Sequence, residues 1–217
     1  MSSNQSLVFY TSHECPFCQR AAIALQELGV VPDETVPIDL SNKPEWYFKV
    51  HPEGKVPALK VGEETIVESL IILEYLLEKY GNNTSIQVQD PLARAQSRLF
   101  LGLFERVLPH FFKAFSAGVE EYEQFLKGLR EINDFLVKQS DGPFLLGEEL
   151  TYADIAVAPF FARFPLVQEI GFEIPETEEY ERVNAYGRAL RSRPSVKATT
   201  PEWERLQKHV EIFKKRR

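Results

Sequence analysis

The stretch "HECPFCQR", residues 13–20, decides how the rest of the chain is read, because it holds both of the cysteines, three positions apart with a proline between them. Cys15 directly precedes Pro16, and proline is favoured at the first position of a helix. The "SLVFY" at 6–10 before it is β-rich, and apolar Ala21, Leu25 and Leu28 after it share one helical face up to Gly29. The spacing therefore predicts a strand, a corner at Cys15, and a helix over 16–28. At that corner the sulfur of Cys15 would face free backbone N–H groups, which favour a thiolate and lower a cysteine pKa from about 8.5 into the range of roughly 3.5–7.5. Cys18, one turn along, lies on the same face and deeper, and could close a disulfide with Cys15.

Four readings compete for such a pair. A zinc site needs four ligands, and His13, His51, His110 and His209 are scattered at unhelpful spacings, so a metal is not expected. Covalent haem requires histidine after the second cysteine, where Gln19 stands. A structural pair of small buried residues and a reactive thiol both remain open. Cys15 is the candidate nucleophile.

Working outward, a second strand is expected at about 34–38, then a helix at 44–50 opened by Pro44. "VPALKV" and "ETIV" flank a Gly-Glu turn and read as a hairpin. "SLIILEYLLEKYG" reads as a helix with Leu73, Leu76, Leu77 and Tyr80 inward and Gly81 as its stop. The order is βαβ followed by ββα. Residues 82–91, "NNTSIQVQDP", have linker composition. Beyond them every pattern is helical: Leu99, Leu103 and Val107 recur before Pro109, and Tyr122, Phe125, Leu126, Leu129, Ile132 and Leu136 mark a long amphipathic helix. Thr151 and Asp154 form a capping signal ahead of a segment that is apolar on most sides. The expected division is 1–81, 82–91 and 92–217.

The chain has 217 residues, is 44% hydrophobic and carries a net charge of −7. Residues 1–80 hold 6 Lys/Arg against 12 Asp/Glu, and the rest hold 19 against 20. An acidic surface repels phosphate backbones, so a nucleic-acid role is not expected. No signal-peptide pattern opens the chain, and its longest apolar run, "IAVAPFFA" at 155–162, is far short of a membrane span. Two cysteines in a chain of this size do not make a secreted disulfide scaffold, so a cytoplasmic, reducing setting is expected. The closing "KKRR" at 214–217 suits the C-terminus of a helix dipole.

A Cys-x-x-Cys at the strand-to-helix corner of a βαβ unit is the thioredoxin-like signature. With "NKPEW" at 42–46, "KVPALK" at 55–60, "VESLIILEYL" at 67–76 and "LTYADIAVAPFF" at 150–161, the chain resembles a cytosolic glutathione transferase over nearly its whole length. "CPF" and "NKPEW" most resemble the omega class, which uses cysteine as its site residue. Dehydroascorbate reductases and intracellular chloride channel proteins share much of this pattern. The resemblance implies a thioredoxin-like α/β domain followed by an all-α helical bundle, with glutathione as co-substrate. It further implies that Val56, before a cis Pro57, pairs with the cysteinyl part of glutathione through its backbone, and that Phe17 belongs to the same site. Ser69 and Glu68 would meet the γ-glutamyl carboxylate and ammonium, and Lys43 the glycine carboxylate. Phe115, Phe160, Arg163 and Trp203 would line the co-substrate side, and the chain would form a homodimer.

The implied activity is thiol transfer through Cys15, including deglutathionylation and dehydroascorbate reduction. Cys18 departs from the omega pattern, which commonly carries alanine there, and raises a glutaredoxin-like dithiol cycle as the alternative. A partner-binding or channel-like protein on the same fold is the alternative from another class.

Overall fold

The computed structural model describes residues 5–82 and 84–214, with only the backbone for His209 and residues 212–214. The "KKRR" ending falls outside the described residues except for the backbone of Lys214. The first half runs β1 (Leu7–Thr11), α1 (Pro16–Glu27), β2 (Glu34–Pro37), a 3-10 turn (Glu45–Lys49), β3 (Ala58–Val61), β4 (Glu64–Val67) and α2 (Ser69–Tyr80). The sheet order is β2-β1-β3-β4, with β1 and β2 parallel and the other pairs antiparallel. That is the expected βαβ-ββα thioredoxin-like arrangement.

Alternation in β1 buries Leu7 and Phe9, whereas edge strand β2 carries Glu34 and Pro37, residues that discourage further strand pairing. Gly62, at φ +61, opens the two-residue turn between β3 and β4. The helix expected at 44–50 is only the 3-10 turn. Its apolar side chains split, Tyr47 inward and Trp46 and Phe48 outward, so it has no single face to bury.

The second half contains α3 (Pro91–Ala117), α4 (Val119–Gln139), α5 (Tyr152–Phe161), α6 (Glu181–Ser192), α7 (Pro194–Thr199) and α8 (Trp203–Lys214). Asp90 caps α3 by accepting the Ala93 N–H at 2.7 Å, so Pro91 is the first helical residue rather than the end of the linker. The helix continues through Pro109, because Leu108, Phe111, Ala114 and Phe115 bury enough apolar surface to offset a proline cost of about 3 kcal/mol. Leu99 does not join the buried stripe and is 66% exposed. A strict four-residue spacing drifts off a 3.6-residue period, and Phe100, Leu103, Phe104 and Val107 hold the inward face instead.

Gly118, at φ +82, reverses the chain into α4, and Gly128 of α4 lies against Val107 so closely that an added Cβ would stand 2.5 Å from the valine methyl. α5 is buried from Ala153 to Phe161 at the centre of the bundle. Asp154 fixes its start, accepting the Thr151 N–H (2.8 Å) and hydroxyl (2.6 Å), the Leu145 N–H (2.9 Å) and the Tyr186 hydroxyl (2.7 Å). No described helix is long and apolar enough to cross a membrane.

α1 explains how the halves join. One face packs on α2 and the other meets α5 and α7, which is why its buried positions include Gln19 and Arg20 as well as Ala21 and Leu25. At its end Glu27 receives both arms of Arg193 (2.7 and 2.8 Å) and the Ser195 hydroxyl.

Candidate active site

β1 ends at Thr11, and the loop after it is closed by the Cys15 N–H donating to the Ser12 carbonyl at 3.1 Å. Cys15 is then held extended, φ −77 and ψ 119, as a residue before proline must be, and occupies the N-cap of α1. Its thiol is half-buried and directed at the Val56 carbonyl oxygen, 3.9 Å away. The Val56–Pro57 peptide is cis. The sulfur accepts no capping hydrogen bond from the helix N–H groups in this thiol state; those donors matter for the thiolate.

Five influences set the Cys15 pKa at about 7, below its ordinary value. The largest is hydrogen bonding from the Cys18 thiol, opposed by burial and assisted by the Cys18 and Phe17 backbone N–H groups and the charge of Arg163. Cys18 is the reverse case. It is 1% exposed, its sulfur accepts the Ser12 N–H at 3.3 Å, and burial drives its pKa well up. Around neutral pH Cys15 therefore titrates, with thiol and thiolate both populated, while Cys18 stays a buried S–H donor.

Arg163, 4% exposed, reaches the corner from the helical half. One guanidinium nitrogen donates to the Gln19 side chain and the Pro159 carbonyl (2.7 Å), and the other to the Glu14 carbonyl (3.2 Å). Burial lowers its pKa to about 10, which leaves it cationic at neutral pH. Gln19 continues the connection to Thr199 (3.2 Å) and Thr200 (2.8 Å) at the end of α7.

Phe17 and Phe160 meet edge to face at 5.3 Å, and Phe160 is enclosed by Phe104 and Phe112. Phe115 turns into the helical core, edge-on to Phe111, and Trp203 stands half-exposed at the start of α8. Thus Cys15, Cys18, Val56 and Arg163 converge, with Phe17 and Phe160 beside them, whereas Phe115 is a core residue by its position.

Ser69 is the buried first residue of α2, and Glu68 before it has φ +67, a left-handed conformation that costs a non-glycine residue of order 1–3 kcal/mol and tends to mark functional turns. Lys43 is half-buried over Gly54, whose φ of +61 and lack of a side chain let Phe48 and Lys43 lie close. A separate cavity of about 140 Å³ between α2 and α3, lined by Glu74, Gln87, Arg94 and Tyr152 among others, contains none of the predicted site residues.

The sequence reading missed Arg20, Gln19 and Glu14. The signal for the first two was present, since polar Gln19 and Arg20 follow Cys18 on a helix whose pattern otherwise argues for burial on that side. Among the described residues no group of three or more His, Cys, Asp or Glu is arranged to hold a metal ion.

With this geometry in view, the comparisons agree. Residues 9–84 match the glutathione S-transferase N-terminal domain and residues 103–189 the glutathione S-transferase C-terminal domain. The chain is 32% identical over 195 residues to glutathione S-transferase DHAR3, chloroplastic, of Arabidopsis thaliana, spanning 88% of this chain and 70% of that one. Its fold superposes on glutathione transferase Omega 1C from Trametes versicolor with a TM-score of 0.81 at 31% identity, covering 96% of each chain. It also superposes on the trimeric glutathione transferase TDR1 of Leishmania with a TM-score of 0.88 at 25% identity, spanning 96% of this chain but only 47% of TDR1. The chain belongs to the glutathione S-transferase family and is an enzyme of that family.

Proposed function

We propose that this enzyme is an omega-type, glutathione-dependent thiol transferase with Cys15 as its nucleophile. The observation that carries the reading is a partly accessible cysteine thiol with its pKa drawn down to about 7, backed by a buried cysteine that stays protonated. The Cys15 thiolate attacks the glutathionyl sulfur of a mixed disulfide; the substrate's sulfur leaves as a thiolate and takes up a proton. A second glutathione thiolate attacks the glutathionyl sulfur now on Cys15, releasing oxidised glutathione and restoring the Cys15 thiolate. Reduction of dehydroascorbate uses the same cysteine, with two glutathione thiols supplying two electrons and two protons. Two cysteines, too few for a disulfide scaffold, fit a reducing, cytoplasmic setting.

Glutathione fits the residues around Cys15. The Val56 backbone beside the sulfur supports strand-like pairing with the cysteinyl unit. The α2 N-terminus at Ser69 supports carboxylate binding, with Glu68 as partner for the ammonium and Lys43 for the glycine carboxylate. Phe17 borders the co-substrate side, and Phe160 and Arg163, both buried, back it from behind rather than line an open pocket. Homodimerisation is supported by an exposed apolar set, Ile71 on α2 and Leu92 and Leu99 one heptad apart on α3.

A dithiol cycle is the second reading, favoured by Cys18 lying next to Cys15. Intact-mass analysis after exposure to oxidised glutathione tests the proposal. A stable gain of one glutathionyl group, lost in Cys15→Ser, supports the monothiol cycle. Loss of two hydrogens without a gain supports the dithiol cycle, and no change in mass contradicts both.

A further inference from the structure

We propose that Arg20 is a positioning residue that directs the Ser69 hydroxyl toward the carboxylate of glutathione and ties that contact to the helical half. The proposal rests on the glutathione-site reading above. Arg20 is 2% exposed, and its guanidinium bonds in three directions: Nε to the Ala156 carbonyl of α5 (2.7 Å), Nη1 to Ser69 Oγ at the start of α2 (3.1 Å), and Nη2 to Glu105 Oε1 of α3 (3.1 Å). Its planar face lies over Phe17 (5.3 Å) and Phe160 (4.9 Å). An arginine this deeply buried with one hydrogen-bonded carboxylate, itself half-exposed, is a costly element, and a core could be filled more cheaply by an apolar residue.

The Ser69 bond gives the arrangement a chemical purpose. A serine hydroxyl has one hydrogen to donate and two acceptor positions. Arginine has only donors, so the Arg20 contact occupies a Ser69 acceptor position and leaves the hydroxyl hydrogen for an incoming anion. The same contact brings a positive charge behind the serine. With Nε held by α5 and Nη2 by α3, the orientation of Ser69 is referred to the helical half rather than to α2 alone.

The test is the binding, by titration calorimetry, of S-methylglutathione and of its analogue in which 4-aminobutyrate replaces γ-glutamate, so that only the α-carboxylate is missing. The wild-type chain should prefer the full ligand by about tenfold or more, as expected for a charge-assisted hydrogen bond. Ser69→Ala should lose most of that preference. Arg20→Met, which keeps the apolar stem between the two rings, should lose a comparable part while binding the analogue about as well as wild type. Equal weakening of both ligands in Arg20→Met would indicate structural damage alone and overturn the proposal. Retained preference in Arg20→Met, with preference lost in Ser69→Ala, would also overturn it while leaving the glutathione site standing. No preference in the wild type would overturn the glutathione-site reading and this proposal with it. If Arg20→Met does not fold, Glu105→Gln loosens the guanidinium from a half-exposed position. Its preference should fall measurably, and an unchanged preference would overturn the proposal.

Discussion

At Cys15 the chemistry depends on one hydrogen bond more than on any other influence, the one from the buried Cys18 thiol. Because the thiolate is the nucleophile, the thiol-transfer rate of the wild type should rise with pH through about 7 and level off above it. Cys18→Ala removes the donor, so its rate should inflect at higher pH, run several-fold slower at pH 7, and approach wild type in alkali. A profile that does not move would mean that Cys18 does not set the thiolate. The sequence placed Cys15 at this corner, since Pro16 and Gly29 mark the ends of the helix. It did not reveal that Cys18 would outweigh the helix N–H groups, because that depends on how deeply the second sulfur is buried.

Among the elements, α5 and the α3–α4 pair carry the clearest mechanical expectations. Thr151→Ala should destabilise the protein by about 1 kcal/mol, the usual worth of an N-terminal cap residue. Asp154→Ala leaves four buried donors without their acceptor and should cost roughly 3 kcal/mol or more, read as a lowered denaturant midpoint. Gly128→Ala forces a methyl into Val107 and should cost about 1–3 kcal/mol; no loss would mean that α3 and α4 separate freely.

The Thr-x-x-Asp signal was legible because capping is local. Leu99 and the 44–50 segment were misread because periodicity alone does not say which neighbour a face will meet, and the passage of α3 through Pro109 was missed because packing from α4 overrides a local breaker.

For the whole molecule, α1 is the joint. Gln19, Arg20 and Glu27 all reach across to the helical half, so the two halves should unfold in one calorimetric transition, with calorimetric and van't Hoff enthalpies equal. Two separate transitions would contradict the joint. The two-part order of elements was readable from the change of period near residue 81, whereas the polar bonds between the parts were not, since long-range pairing leaves no local pattern.

The central claim is that Cys15 performs thiol transfer. Its most direct measurement is glutathione-dependent reduction of a small mixed disulfide by wild type and Cys15→Ser side by side. Turnover by the wild type and none by the variant is the predicted result. Turnover retained in Cys15→Ser, or absent from both although glutathione binds, would contradict it.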